Sequence, residues 1–148
     1  MNLAYDKKKV EQSTLKYWEN VLKLIGCAGK YKAKIALRDN LRDESVSWKV
    51  RPVLTKYHGG SMKDLDKTIR NLQHSFNELV ERLNAECVRR ELVPITRPAE
   101  LLELLQDKER RQYYDREAKK LLSKNKVVPL QSLEDKFRRR QQNRGQAR

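Results

Sequence analysis

Residues 61–91, SMKDLDKTIRNLQHSFNELVERLNAECVRRE, carry the reading on which the fold turns. Met62, Leu65, Ile69, Leu72, Phe76, Leu79 and Leu83 step through the stretch by 3, 4, 3, 4, 3 and 4 residues. That is a heptad seam lasting about three repeats. Ser61 with Asp64 three positions on has the form of a capping box, and Pro94 sets a stop. The spacing predicts a helix to about Glu91, roughly 45 Å long at ~1.5 Å per residue.

Working toward the C-terminus, Thr96 or Arg97 is a cap and Pro98 suits a first helical turn. Leu101, Leu102, Leu104 and Leu105 open an apolar face, and Tyr113, Tyr114, Ala118, Leu121 and Leu122 resume it. Residues 106–112 have no apolar member, so that stretch is expected to be solvated or kinked. The short turn from Pro94 to Pro98 makes an antiparallel αα-hairpin over 61–125 the simplest packing. Leu65, Ile69, Leu72, Phe76, Leu79 and Leu83 would then face Leu101, Leu105, Tyr114 and Leu121. A seam that binds a helix of another chain is the rival reading. The segment LLQDKERRQYYDREA at 104–118 resembles the closing helix of a J-domain, in which a basic run precedes Tyr-Asp-Arg. The likeness covers about a tenth of the chain, and the His-Pro-Asp tripeptide that carries that family's activity does not occur.

Toward the N-terminus, residues 45–60 change character. Val46, Trp48 and Val50 alternate with polar residues, and Pro52 and Gly59-Gly60 interrupt helical patterning, which predicts an extended arm or edge strand. Residues 12–25 carry Leu15, Trp18, Leu22 and Ile25 at helical spacing, with Tyr17, Val21 and Leu24 widening the stripe. Gly26 and Gly29 are the expected stop. In residues 31–41, Tyr31, Ala33, Ile35 and Leu37 alternate with period two and also fit helical spacing, and composition favours helix. The expected fold is therefore all-α: N-terminal amphipathic helices (1–44), an extended basic arm or linker (45–60), the αα-hairpin (61–125) and a basic C-terminal tail (126–148).

Charge follows the same division. The chain has 148 residues and a formal net charge of +14. Residues 1–60 hold 13 basic and 6 acidic groups, residues 61–92 hold 6 of each, and residues 126–148 hold 7 against 2. A neutral helical core with basic ends argues for an acidic partner, most often nucleic acid. Charged residues are 36% of the chain, against ~25% in ordinary domains, so the core must be thin.

The expected partner-binding residues are the basic clusters and the aromatics among them. They comprise Lys7, Lys8 and Lys9 at the start, and Lys30, Lys32, Lys34, Arg38 and Arg42 further on. Trp48, Lys49, Arg51 and Tyr57 follow on the arm. The tail supplies Lys136, Arg138, Arg139, Arg140, Arg144 and Arg148, where arginine's planar fork suits phosphate. An aromatic between cations can stack on an exposed base while its neighbours contact phosphate.

Other chemistry finds little footing. His58 and His74 have no plausible partners in sequence, and Gly59-Gly60 lacks the flanking residues of a phosphate loop. No catalytic, metal-binding or cofactor-binding residues, and no small-molecule substrate, are expected. Cys27 and Cys87 lie 60 positions apart without a zinc pattern and read as reduced thiols, which fits an intracellular, reducing compartment. Cytoplasm, nucleus and organelle matrix are not resolved. The N-terminus has no signal-peptide core and too few arginines for a typical transit peptide, while a presequence already removed stays open. No run reaches the ~18 apolar residues of a membrane span. The expected role is a non-catalytic structural subunit of a large ribonucleoprotein, a ribosome (organellar included) or an RNA-processing complex, binding RNA, rRNA foremost, and neighbouring proteins. The alternative is a helical adaptor docking on an acidic protein polymer such as a microtubule or capsid.

Overall fold

The computed structural model describes the backbone of residues 3–146 and the side chains of residues 11–145. Among them are six helices and no strand: α1 (Leu3–Arg42), α2 (Ser47–His58), α3 (Met62–Arg89), α4 (Pro98–Leu104), α5 (Lys108–Ser123) and α6 (Leu130–Gln146).

The spine is an antiparallel pair, α1 against α3. Arg90 donates to the Ser13 hydroxyl, the Cys27 thiol donates to the Leu72 carbonyl, Gln73 donates to the Tyr31 hydroxyl, and Arg38 lies 3.8 Å from Asp66. From Ser13 to Arg38 along α1 the partners on and after α3 thus run back from Arg90 to Asp66. Ser61 caps α3 through the Asp64 amide, as its position in sequence implies. Of the seam, Leu65, Ile69, Phe76 and Leu83 are buried, and Met62, Leu72 and Leu79 are half-buried. The buried set also takes in Val80 and Cys87. A straight helix drifts from a strict seven-residue repeat, so Val80 joins Leu79 at the contact and Cys87 extends it.

The hairpin expected between 61–91 and 98–122 is not how the core is built. The principal partner of α3 is α1, and α5 also packs chiefly on α1. The second arm is itself broken, because Asp107 accepts from the Glu109 amide and starts a new helix. The break falls at the start of the 106–112 stretch that lacks apolar residues. Leu105, Tyr114 and Leu121 are nevertheless buried in one cluster with Phe76 and Leu83. Asn84 secures the return loop by donating to the Ile95 carbonyl and accepting from its amide.

Two expected breaks at the N-terminal end are also overturned. α1 runs through Gly26 and Gly29 without interruption. A helix-interior glycine costs roughly 0.5–1 kcal/mol relative to alanine. Burial of Tyr17, Trp18, Val21 and Leu24 before them and Leu37 after them outweighs that. Residues 47–58 form α2 rather than an extended arm. Pro52 sits inside it, where a proline costs about 3 kcal/mol. Its ring faces solvent, while Leu54, His58 and Ser47 are buried. Docking on α1 and α3 thus offsets a poor local sequence. The Gly59-Gly60 pair does terminate the helix, with both residues at positive φ and the Gly60 amide donating to the Leu54 carbonyl.

Two cores result. The large one gathers residues from α1, α3, α4, α5 and α6. The small one holds Leu37, Leu54, Leu65 and Ile69 where α2 meets the spine. The expected tail is part of the larger, since Leu130, Leu133 and Phe137 seat α6 against the body. Among the described residues no helix is long and apolar enough to cross a membrane.

Candidate functional site

Two cationic surfaces emerge, one on α2 and one on α6. α2 buries Leu54 and His58; helical geometry turns Lys49, Pro52 and Lys56 to the opposite side and sets Trp48 on one flank and Tyr57 on the other. Trp48 is 67% exposed and Tyr57 61%. Lysine ammonium groups lie over both rings: Lys49 is 5.4 Å from the Trp48 centroid, and Lys34 and Lys56 are 5.4 and 5.3 Å from that of Tyr57. Such contacts at exposed sites are worth about 0.5–1 kcal/mol, enough to orient the rings without hiding them. Arg51 is exposed nearer the buried stripe, in a groove with Leu41, Leu54 and Met62. No Asp or Glu occurs between Glu44 and Asp64, so no carboxylate within α2 offsets these charges.

Behind that surface His58 is buried, and the Lys34 ammonium donates to its Nε2 at 3.0 Å. The acceptor role requires a neutral ring. Burial, and then the charge of Lys34, holds the imidazole below its ordinary pKa, with Asp64 pulling the other way.

The α6 surface is built differently. Arg110 from α5 grips the buried Glu134 with Nε contacts of 2.5 and 3.0 Å, and the Tyr114 hydroxyl donates to the same carboxylate. Arg110 also covers the Phe137 ring at 4.7 Å. Burial, reinforced by Glu134, raises the Tyr114 pKa, so the phenol stays protonated and serves as a donor. One turn on, Lys136, Arg139, Arg140 and Arg144 gather around Tyr113, with Arg140 5.7 Å from its ring. Arg144 pairs with Glu109 at 2.7 Å, and Gln141 donates to the same carboxylate. These hydrogen bonds hold Glu109 below the usual carboxylate range. Arg138 stays within 3.9 Å of Glu134.

The remaining expected residues divide. Lys30, Lys34, Arg38 and Arg42 follow one another at four-residue intervals along α1, whereas Lys32 falls off that stripe. Arg38 is turned inward to Asp66 and serves the fold. Lys7, Lys8 and Lys9 belong to α1, but their side chains lie outside the described residues, as does Arg148. Lys56 was not among the expected binding residues, and Tyr113 was expected only on the apolar face of the second arm. A helical projection of 45–60 would have placed Lys56 in line with Lys49; Tyr113 carried no signal for binding, because only tertiary packing brings it to α6.

A cavity of about 380 Å³ opens between the 93–97 loop, α4 and α6. Its charged lining pairs internally, Arg97 with Glu100 and Arg138 with Glu134. Cys27 and Cys87 are free and buried, and burial raises both thiol pKa values. Comparison with protein-family models, with curated proteins and with solved structures gives no match.

Proposed function

We propose that the protein is a non-catalytic structural subunit of a large ribonucleoprotein, holding RNA through the outer face of α2 and the cationic side of α6. The observation that carries this reading is α2 itself. Two large aromatic rings stand exposed among four cations with no carboxylate in the helix. Cations alone would serve any acidic surface. Exposed aromatics between them suit a partner that offers both phosphates and unstacked bases, and stacking is worth about 1–3 kcal/mol per base. Ribosomes, organellar ribosomes and RNA-processing complexes all present such RNA, with neighbouring proteins to cover the half-exposed apolar residues.

The two tryptophans make the test direct. Trp18 is fully buried and donates to the Lys126 carbonyl at 2.7 Å, so fluorescence changes on titration report Trp48. Titration with a folded RNA bearing unpaired bases should quench Trp48. The affinity should fall steeply with salt, with a log–log slope near −5 for about six phosphate contacts. Absence of quenching, together with an assembly that survives RNase and retains acidic proteins, would instead establish the adaptor reading.

A further inference from the structure

We infer that the protein bridges two separate RNA segments, one on α2 and one on α6, rather than lining a single continuous groove. This rests on the RNA reading above and adds its geometry.

The first ground is the placement of the two helices around α1. Lys34, Leu37 and Leu41 meet α2, whereas Trp18 and Gly29 lie toward α5 and its approach to α6. At 100° per residue these stripes are centred about 120° apart on α1. α3 occupies a third side, marked by Ser13, Cys27 and Tyr31. The outer face of α2 and the cationic side of α6 therefore lie on different sides of the spine.

Separation in space and in core follows. Packed helix axes are ~8–10 Å apart, so α2 is two such steps from α5 through α1, and α6 is a step further. That exceeds the Debye length of ~8 Å at physiological ionic strength. Each site thus attracts its own phosphates. Each is also seated independently, α2 on the small core and α6 on the large one. The spine helix α3, on the third side, lies in the stretch with 6 basic and 6 acidic groups and lays no cationic track, and the exposed Lys16 and Lys23 of α1 are the cations whose removal tests for one.

The test uses the full chain, a biotinylated RNA hairpin on beads, and a second, dye-labelled hairpin in solution. Recruitment of the dye should rise and then fall as protein increases, because excess protein occupies each hairpin separately. Lys49→Ala with Arg51→Ala on α2, or Lys136→Ala with Arg139→Ala on α6, should each retain one hairpin and lower recruitment at least tenfold. All four side chains are exposed, so the fold should survive, which circular dichroism checks. A charge-matched control, Lys16→Ala with Lys23→Ala, should recruit normally. Equal loss in the control would overturn the inference. So would saturation at one hairpin per protein, with both pairs of substitutions weakening the same complex. Failure to bind any hairpin would remove the RNA reading as well, whereas binding without recruitment removes the bridge alone.

Discussion

α2 and α6 are both short, basic and partly aromatic, yet they hold their charges in opposite ways. α6 ties Arg110, Arg138 and Arg144 to the carboxylates of Glu134 and Glu109 and rests on Leu130, Leu133 and Phe137. α2 has no acidic residue, a proline in its middle and a small core beneath it. In α6, much of the cationic character is committed to building the body. In α2, it is left for something outside. A run of arginines in sequence therefore says less about binding than does the absence of carboxylates around them.

Removing the Glu134 carboxylate should break the contrast most severely. The side chain is only 4% exposed, and it satisfies Arg110 and Tyr114 together. Glu134→Ala leaves a mostly buried guanidinium with only the looser Asp107 contact at 3.5 Å and takes the acceptor from the buried Tyr114 hydroxyl, a loss of about 3–5 kcal/mol. Urea denaturation should show that loss, whereas Lys49→Ala with Arg51→Ala should stay within about 0.5 kcal/mol of the parent. Comparable destabilisation by the two would erase the distinction between a structural and a presenting helix.

The apolar anchors sharpen it at the next level. Phe76 is fully buried in the large core, and Phe76→Ala should cost about 3–5 kcal/mol and unfold the chain globally. Leu54→Ala should cost about 2 kcal/mol, the low end for such a change, because the small core is open to solvent and can collapse. Hydrogen exchange should locate that second loss in α2 alone. If Leu54→Ala exposes α5 and α6 equally, the two cores are one cooperative unit.

How far the sequence could be read depended on whether local and tertiary forces agreed. In α3, the cap at Ser61 and the apolar spacing both favour helix, and the structure follows. At Gly26, Gly29 and Pro52 the local signals oppose helix, and burial of flanking residues prevails. The partner of α3 was misread because a short turn favoured the next helix, while the wide stripe of Tyr17, Trp18, Val21 and Leu24 was the stronger match. Leu130, Leu133 and Phe137 have helical spacing that would have marked α6 as anchored rather than trailing. The Trp48 and Tyr57 rings were legible as exposed, although on an extended arm rather than a helix. The gathering of Arg140 over Tyr113 was not legible, since the two are 27 residues apart and nothing in either segment points to the other.

A smaller effect concerns Trp48 in binding. Trp48→Ala should weaken RNA by about 1–3 kcal/mol if the ring stacks on a base, leave urea stability within about 0.5 kcal/mol, and abolish the quenching signal. Removal of residues 136–148 would be a poor counterpart on α6, because it deletes Phe137 from the core. Arg139→Ala is the cleaner comparison, since that side chain is exposed. It should reduce the salt slope by about one unit, as expected for a single phosphate contact. A larger loss from Arg139→Ala than from Trp48→Ala would reverse the roles assigned to the two helices.

The gentlest expected effect is on pH dependence at α2. His58 is 8% exposed and accepts a hydrogen bond from Lys34, so the native state holds the ring neutral. Burial and the Lys34 charge put its folded pKa below the unfolded value near 6.5, with Asp64 opposing them more weakly. As pH falls through 6.5, the unfolded chain takes up a proton before the folded one does, so stability declines from there toward the folded pKa. Above 6.5 this contribution is complete and flat. α2 should consequently lose hydrogen-exchange protection, corrected for intrinsic rates, between pH 7.5 and 5. The α6 end should not follow, because Glu109 is held below the carboxylate range and keeps Arg144 paired through that window. His58→Gln retains an acceptor for Lys34 and cannot titrate, so it should remove the step in α2. Persistence of the same loss in that variant would move its origin away from His58.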